Sequence, residues 1–363
     1  FFPLDRQLGL EDPHYSPGLE KDMVWLSGTE KSFEHAERVM QRIGHLSISD
    51  SSIWRRKEEW GTRFQQIEEA QCIRANTVGS AEVFRARALG AQKRMAVSMD
   101  GTMVRIRQEG WKELKVGCCC ELRVYPTRDP VTKDWEDLAH GEHLRYTAHL
   151  GGPEEFGQKL WALAKGYGWE TALDRQVVGD GSPWIWNQVI DHFYDAEQTV
   201  DWYHATEHVA HMALLLHGEG TPAYTRWYNA TCTTLYQGHA EDVAQEVILA
   251  AAGYSGEVAD KLHGEAGYLQ THQRRMQYQQ VREDGYLLGS GMVECGGKQF
   301  KARFCGPGMR WNRTGLQRLI PIRAAVLDDS FDSKWEAAHN SPPNRNTPSG
   351  LSLIHISEPT RPY

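Results

Sequence analysis

Apolar positions in the first ninety residues recur at helical spacing. In SFEHAERVMQRIG, Phe33, Ala36, Val39, Met40 and Ile43 fall on one face at the i, i+3, i+4, i+7 spacing of an amphipathic helix. After a break at GHLS, SDSSIWRRKEEWG opens on the capping residues Ser49 and Asp50 and carries Arg55, Arg56 and Lys57. That is the layout of the second, groove-entering helix of a helix-turn-helix, although two helices of any bundle share it. Residues 1–90 are therefore expected to form an all-helical, helix-turn-helix-like region, with Arg55, Arg56 and Lys57 as its candidate DNA contacts.

From residue 94 the period changes to that of extended chain. RMAVSMDGTMVRIRQEGWKELKVGCCCEL predicts three short strands, 95–100, 102–107 and 113–121, the last two joined in a hairpin across QEGW. A charged excursion over 125–142 follows, after which HLRYTAHLG predicts an edge strand or a return. PEEFGQKLWALAKGYG predicts a helix with proline early and glycine late. A strand at RQVVGD, a helix within SPWIWNQVIDHF, a strand at EQTVDW and a helix over YHATEHVAHMALLLHG complete an α/β layer with helices on the sheet. Residues 218–285 are helical and polar and predict an inserted subdomain, and GSGMVECGGKQFKARF predicts a last helix. The expected organisation is a helical region over 1–90, a core over 91–217, an insertion over 218–285, completion of the core over 286–338, and a loose tail over 339–363. Within that tail, LSLIHISEPTRPY resembles the in-frame translation of a sequencing-library adapter, so residues 351–363 are set aside from the fold.

The net charge of −8 argues against coating nucleic acid through total charge, so any such contact must come from local basic patches. No apolar run reaches the about 18 residues that cross a bilayer, and no membrane partner is expected. The seven cysteines lack C-x-x-C spacing and are expected to be reduced, with Cys118 and Cys120 on one face of a strand and Cys119 on the other. Trp184, Trp186 and Trp202 are expected in the core.

Three carboxylates stand out by context. Asp100 in AVSMDG and Asp180 in VVGDG each end an apolar run and precede glycine, and Glu294 lies in the first turns of the helix after GSG. Each alone has an ordinary explanation, a turn for the aspartates and a solvated helix N-terminus for the glutamate. On neighbouring strands, however, the two aspartates would be about 4.8 Å apart, close enough to share divalent cations for in-line phosphoryl displacement. Magnesium suits an all-oxygen set. Between residues 274 and 323 ten Arg or Lys stand against three acids, a density expected of a phosphate track. Lys298, Lys301, Arg303, Arg310 and Arg313 are its candidate DNA contacts.

SMDGTMVRIR, GDGSPWIW, VDWYHATEH and GSGMVECGGKQFKARF, in this order, resemble the DDE transposases of bacterial insertion sequences, closest to the ISKra family, over about residues 15–338. The resemblance implies an RNase H-like mixed five-stranded sheet with a helical insertion before the final acidic helix. It implies metal-dependent cleavage and joining of double-stranded DNA at transposon ends and target, with catalytic and metal-binding Asp100, Asp180 and Glu294. It further implies two Mg2+ ions, for which Mn2+ would substitute, a homo-oligomeric synaptic complex, and a cytoplasmic, nucleoid-associated setting in a bacterium. Asp201 also ends a strand, but in the sheet order of such folds it lies two strand spacings from Asp100, about 9.6 Å, too far to share an ion pair. Asp201 and His204 instead match an acid-x-x-His element of related transposases that orients the site or touches DNA. Two other readings stay open: an RNase H-like nuclease without strand transfer, and an inactive, DNA-binding transposase relic or regulator, to which Cys295 beside Glu294 and the GCCCEL run lend weight.

Overall fold

Strand β1 (Arg94–Ile106) buries side chains on both of its faces, and the remaining layers are arranged around it. The computed structural model describes residues 15–77, 93–128 and 133–340. Residues 341–363 of the expected tail and the expected boundary near residue 90 lie outside the described residues, whereas residues 339 and 340 are helical. Helices α1 (Pro17–Thr29), α2 (Phe33–Gly44) and α3 (Asp50–Thr77) precede the sheet. Next come β1, β2 (Gly110–Arg128), β3 (Trp135–His149), α4 (Pro153–Tyr167), β4 (Asp174–Gly179), α5 (Pro183–His192), β5 (Glu197–Val200) and α6 (Trp202–His217). Helices α7 (Pro222–Tyr236), α8 (Ala240–Ala251), α9 (Glu257–His272) and α10 (Tyr278–Glu283) fill the region expected to be an insertion. The chain closes with α11 (Gly291–Phe304), α12 (Arg313–Leu327) and α13 (Phe331–Asn340).

The sheet is mixed, five-stranded and ordered β3-β2-β1-β4-β5, with β1–β2 and β2–β3 antiparallel and β1–β4 and β4–β5 parallel. Met95, Val97, Met99 and Cys119 point into a core shared with α4, α5, α6 and the helices α7 to α9. Val104, Ile106, Leu114, Val116 and Cys118 point to the other face, where α3, α11, α12 and α13 cover them. The three consecutive cysteines alternate as the strand period requires, Cys120 joining Ala96 and Leu122 in a small third cluster. All seven thiols are free, and burial pushes those of Cys118 and Cys119 well up and that of Cys120 up to about 12. Trp186 is buried, and Trp184 and Trp202 pack against the same core.

Two expectations about the strands are corrected. Residues 95–100 and 102–107 form one strand, because β2 continues the antiparallel ladder through Asp100↔Val116 and Gly101↔Lys115. The turn signal Asp-Gly is overridden by that pairing. The charged segment 125–142 is also largely extended: β2 and β3 pair out to Arg128↔Trp135, and solvent on both sides of this ribbon accounts for its polarity. The QEGW hairpin forms as expected, with Gln108 and Gly110 both at positive φ.

The N-terminal helices are welded to the sheet's far layer. Trp60 and Phe64 of α3 share the core of Val104 and Leu316, and Trp60 stacks on Trp335 at 3.7 Å between ring centroids. At Gly61 the two helices touch so closely that an added Cβ would overlap the carbonyl oxygen of Arg318 on α12. This contact removes the middle of α3 from any DNA groove. Lys57 is completely buried, paired with Glu58 and donating to the Gly315 carbonyl at 3.1 Å, and burial pushes its ammonium down to about 8. Arg56 is held by Glu20 at 2.8 Å and Glu59 at 3.1 Å. Of the basic triplet only Arg55 projects openly into solvent.

Gly61→Ala checks this contact by its sign. A glycine-to-alanine change in a helix ordinarily stabilises by about 1 kcal/mol; here overpacking reverses it, and urea unfolding is expected to show a loss of about 1–3 kcal/mol.

Candidate metal and DNA site

The register of β1 and β4 brings Asp100 and Asp180 to the same end of two adjacent strands. The last parallel pair of β1 and β4 is Ser98↔Val178, stitched by the Ser98 hydroxyl donating to the Val178 carbonyl at 2.7 Å. Each aspartate follows two positions later, on strands whose axes lie about 4.8 Å apart. β1 runs on past Asp100, whereas β4 ends at Gly179 and opens a gap in the sheet beside it. Asp180 Oδ1 accepts the Ser182 amide at 2.6 Å, which turns the chain into α5 at Pro183. Asp100 Oδ1 accepts the Gly101 amide at 2.6 Å. Burial raises the Asp100 carboxyl above the usual range; the Gly101 bond and the His204 cation oppose that rise, and the neighbouring charges of Asp180 and Glu294 add to it. All three acids are half-buried, and the charges of Asp180 and Glu294 both reach Asp100.

Glu294 reaches this site because the chain before α11 is strapped over the end of the sheet. Gln176, buried in β4, donates to the Leu287 carbonyl at 2.7 Å and accepts the Leu287 amide at 2.9 Å. The Trp202 amide donates to the Leu288 carbonyl at 2.8 Å. Asp201 then takes the Ser290 amide and the Ser290 hydroxyl, the latter at 2.6 Å, on Oδ2. Its Oδ1 caps α6 by accepting the amides of Tyr203 at 2.7 Å and His204 at 3.1 Å. A side chain at Gly289 would stand 3.1 Å from the Tyr203 ring, a tight fit that glycine relieves. Glu294 follows in the first turn of α11, with Lys298 one turn on and 3.7 Å from it.

The ligand-capable atoms of Asp201, His204 and Glu294 lie within 4.8 Å of one another, the one such group of three among the described residues; Asp100 and Asp180 stand outside it. Asp201 is nevertheless poorly disposed to hold a cation. It is fully buried and both its oxygens are occupied by N–H and O–H donors. Burial alone would raise its carboxyl; the bonds from His204 and Ser290 outweigh that and hold it down to about 2. His204 Nδ1 is 3.6 Å from Asp201 Oδ1, an ion-pair distance beyond a hydrogen bond, and that carboxylate raises the imidazole above 6.5 against the smaller effect of burial. A protonated imidazole repels a metal ion. Asp201 thus ties Ser290, at the head of the helix that carries Glu294, to the end of the sheet, and the His204 cation stands with Lys298 beside the acids there.

Sequence reasoning missed Gln176, Ser290 and Tyr268. The ring of Tyr268, from α9, packs so closely on Gly181 that any side chain there would overlap it, and it stacks on His208 at 3.7 Å. Its buried hydroxyl has no partner among the described residues and is pushed well up, by burial first and then by Asp180. No local pattern marks it, since an aromatic in an amphipathic helix reads as ordinary core.

Of the basic track, Arg303 is buried, donating to the Ser27 carbonyl at 2.9 Å and lying over the rings of Phe33 and Trp311; burial pushes its guanidinium down to about 9. It cannot face DNA. Arg323 is likewise buried on the carbonyls of Gly28 and Gln299, and Arg313 is held by Glu109 and the Leu150 carbonyl. Lys298, Lys301 and Arg310 are exposed. No helix among the described residues is long and apolar enough to cross a membrane. No protein-family model matches the chain, and no curated protein is significantly similar to it.

Asp201→Ala is expected to lower unfolding free energy by about 2–4 kcal/mol, since it strands the Ser290 donors and uncaps α6; a loss under 1 kcal/mol would contradict the anchoring role. His204 is raised in the folded chain, so its stabilising contribution is full below 6.5 and is lost as pH rises through the raised value. Denaturation from pH 6 to pH 10 should show that decline in the wild type and a flatter profile in His204→Gln.

Proposed function

We propose that the chain is a DNA transposase of the DDE type, an RNase H-like enzyme of the insertion-sequence class closest to the ISKra family, cutting and joining DNA by phosphoryl transfer. The observation that carries this reading is the register of β1 and β4, which brings Asp100 and, just past the end of β4, Asp180 to the same end of neighbouring strands, with the electrostatic nearness of Glu294 from the strapped helix α11. The donor set fits a hard divalent cation: the three carboxylates are half-buried, and the effect of Asp180 and Glu294 on Asp100 is the repulsion such an ion relieves. Asp100, Asp180 and Glu294 would hold two Mg2+ ions, or Mn2+ in their place, which when bound supply charge neutralisation at the phosphoryl group and activation of the attacking oxygen.

The chain's own residues set the position. Ser290 and Asp201 fix the start of α11, which turns Glu294 toward the end of the sheet. Lys298 and Lys301, four and seven positions along the helix from Glu294, extend a cationic edge for the DNA backbone. Arg310 and Arg55 are further exposed cations for the same partner. Water attacks first, and the freed 3′-hydroxyl attacks next, so positioning and charge stabilisation carry the rate. A homo-oligomer that pairs two transposon ends, in the cytoplasm of a bacterium at its nucleoid, is part of this proposal.

A nuclease without strand transfer is separated by supplying a pre-cleaved end and looking for joined product. Asp180→Asn is expected to reduce metal-dependent strand cleavage by at least a thousandfold while leaving binding to transposon ends largely intact; cleavage near the wild-type rate would refute the assignment.

A further inference from the structure

The tip of the β1–β2 hairpin brings two cations that the site does not use, Arg105 and Arg107, together with Arg310. Arg105 and Arg107 project from one face of β1 and the residue beyond it, as their alternation with buried Val104 and Ile106 shows. The loop after α11 comes alongside: the Arg107 amide donates to the Trp311 carbonyl at 2.7 Å and Ile106 bridges to Trp311. That bridge places Arg310 beside the other two, and the three arginines line one open cavity of about 540 Å3 with Gln108 and Gly110.

Their guanidinium groups make no hydrogen bond or ion pair among the described residues. The nearby acids are already engaged, Glu109 by Arg313 at 3.0 Å and Glu113 by Lys115 at 2.5 Å. Other arginines of this chain are spent on carboxylates and helix carbonyls, as Arg56, Arg303 and Arg323 are. Here three bare arginines converge on one wall. Directly across the hairpin from Arg105 lies Trp111, whose indole is 56% exposed and meets no other ring among the described residues. Bare guanidinium groups beside an uncovered indole match the phosphates and the apolar sugar faces of a nucleic-acid backbone.

We infer that the hairpin tip is a second anchoring surface for DNA, at which Arg105, Arg107 and Arg310 hold backbone phosphates remote from the reacting one. The inference rests on the transposase reading and adds to it a contact on a different element. Arg105 is five residues beyond Asp100 on the same strand, about 17 Å at about 3.4 Å per residue, or the axial length of about five base pairs. Strand alternation turns the two side chains to opposite faces of β1, so the anchor is separate from the acids.

The test is the salt dependence of binding to a 30-base-pair duplex bearing the transposon end, for the full chain and for the triple variant Arg105→Ala/Arg107→Ala/Arg310→Ala. Each phosphate contact contributes about 0.9 to the slope of log affinity against log salt, so the triple variant is expected to bind more weakly with a slope shallower by about 2.7. The matching lysine variant, which keeps the charges, is expected to retain the wild-type slope. An unchanged slope in the alanine variant would overturn the inference, leave the patch to an acidic protein surface, and leave the catalytic reading standing. Absence of salt-dependent binding by the wild type would overturn both.

Discussion

A single buried carboxylate determines whether the parts of this protein can act together. Asp201 sits at the end of the short edge strand β5 with no exposure to solvent, a placement that costs several kcal/mol unless donors surround it. Here the donors come from two separate stretches, the first turn of α6 and Ser290 at the head of α11. Satisfying one charge therefore fixes a helix that begins some ninety residues later in the chain. The position of Glu294 follows from that, and so does the direction of the cationic edge behind it.

The same reasoning applies to the cations. A count of charges along the sequence treats every arginine as a solvated probe, yet this fold uses several as internal fasteners. Arg303 and Arg323 bind the carbonyls at the C-terminal end of α1, where unpaired acceptors and the helix dipole both favour a positive group. Lys57 instead binds the Gly315 carbonyl in the first turn of α12 and pairs with Glu58. Burial of these groups ties the N-terminal helices to the far layer of the sheet, which is why α3 shares a core with the strands.

Much of the architecture was legible in the sequence because local period and tertiary burial agree. The alternation of Cys118, Cys119 and Cys120, the helix after Pro153, the strand before Asp180 and the helical region beyond residue 218 all follow from patterns a few residues long. The misreadings arose where partners distant in sequence decide the outcome. Asp100-Gly101 reads as a turn until β2 extends the ladder across it, and the polar ribbon of β2 and β3 lacks a buried face to declare it a strand. Lys57 and Arg303 look like surface cations because nothing near them in sequence announces the helices that cover them. Of the site, the three acids and the Asp201–His204 pair were visible as motifs. The bonds that strap the chain before α11 over the sheet end were not, because they depend on Gln176 and Ser290, whose partners meet them only once the sheet has formed.

Whether Asp100, Asp180 and Glu294 form the metal-binding set, with Asp201 and His204 supporting them from behind, is the central claim. Anomalous diffraction from manganese in crystals of the protein bound to a DNA end measures it directly. The account predicts ion density in contact with carboxylate oxygens of Asp100, Asp180 and Glu294, with Asp201 still bonded to Ser290. Density centred on Asp201 and His204, or none near Asp100 and Asp180, would contradict it.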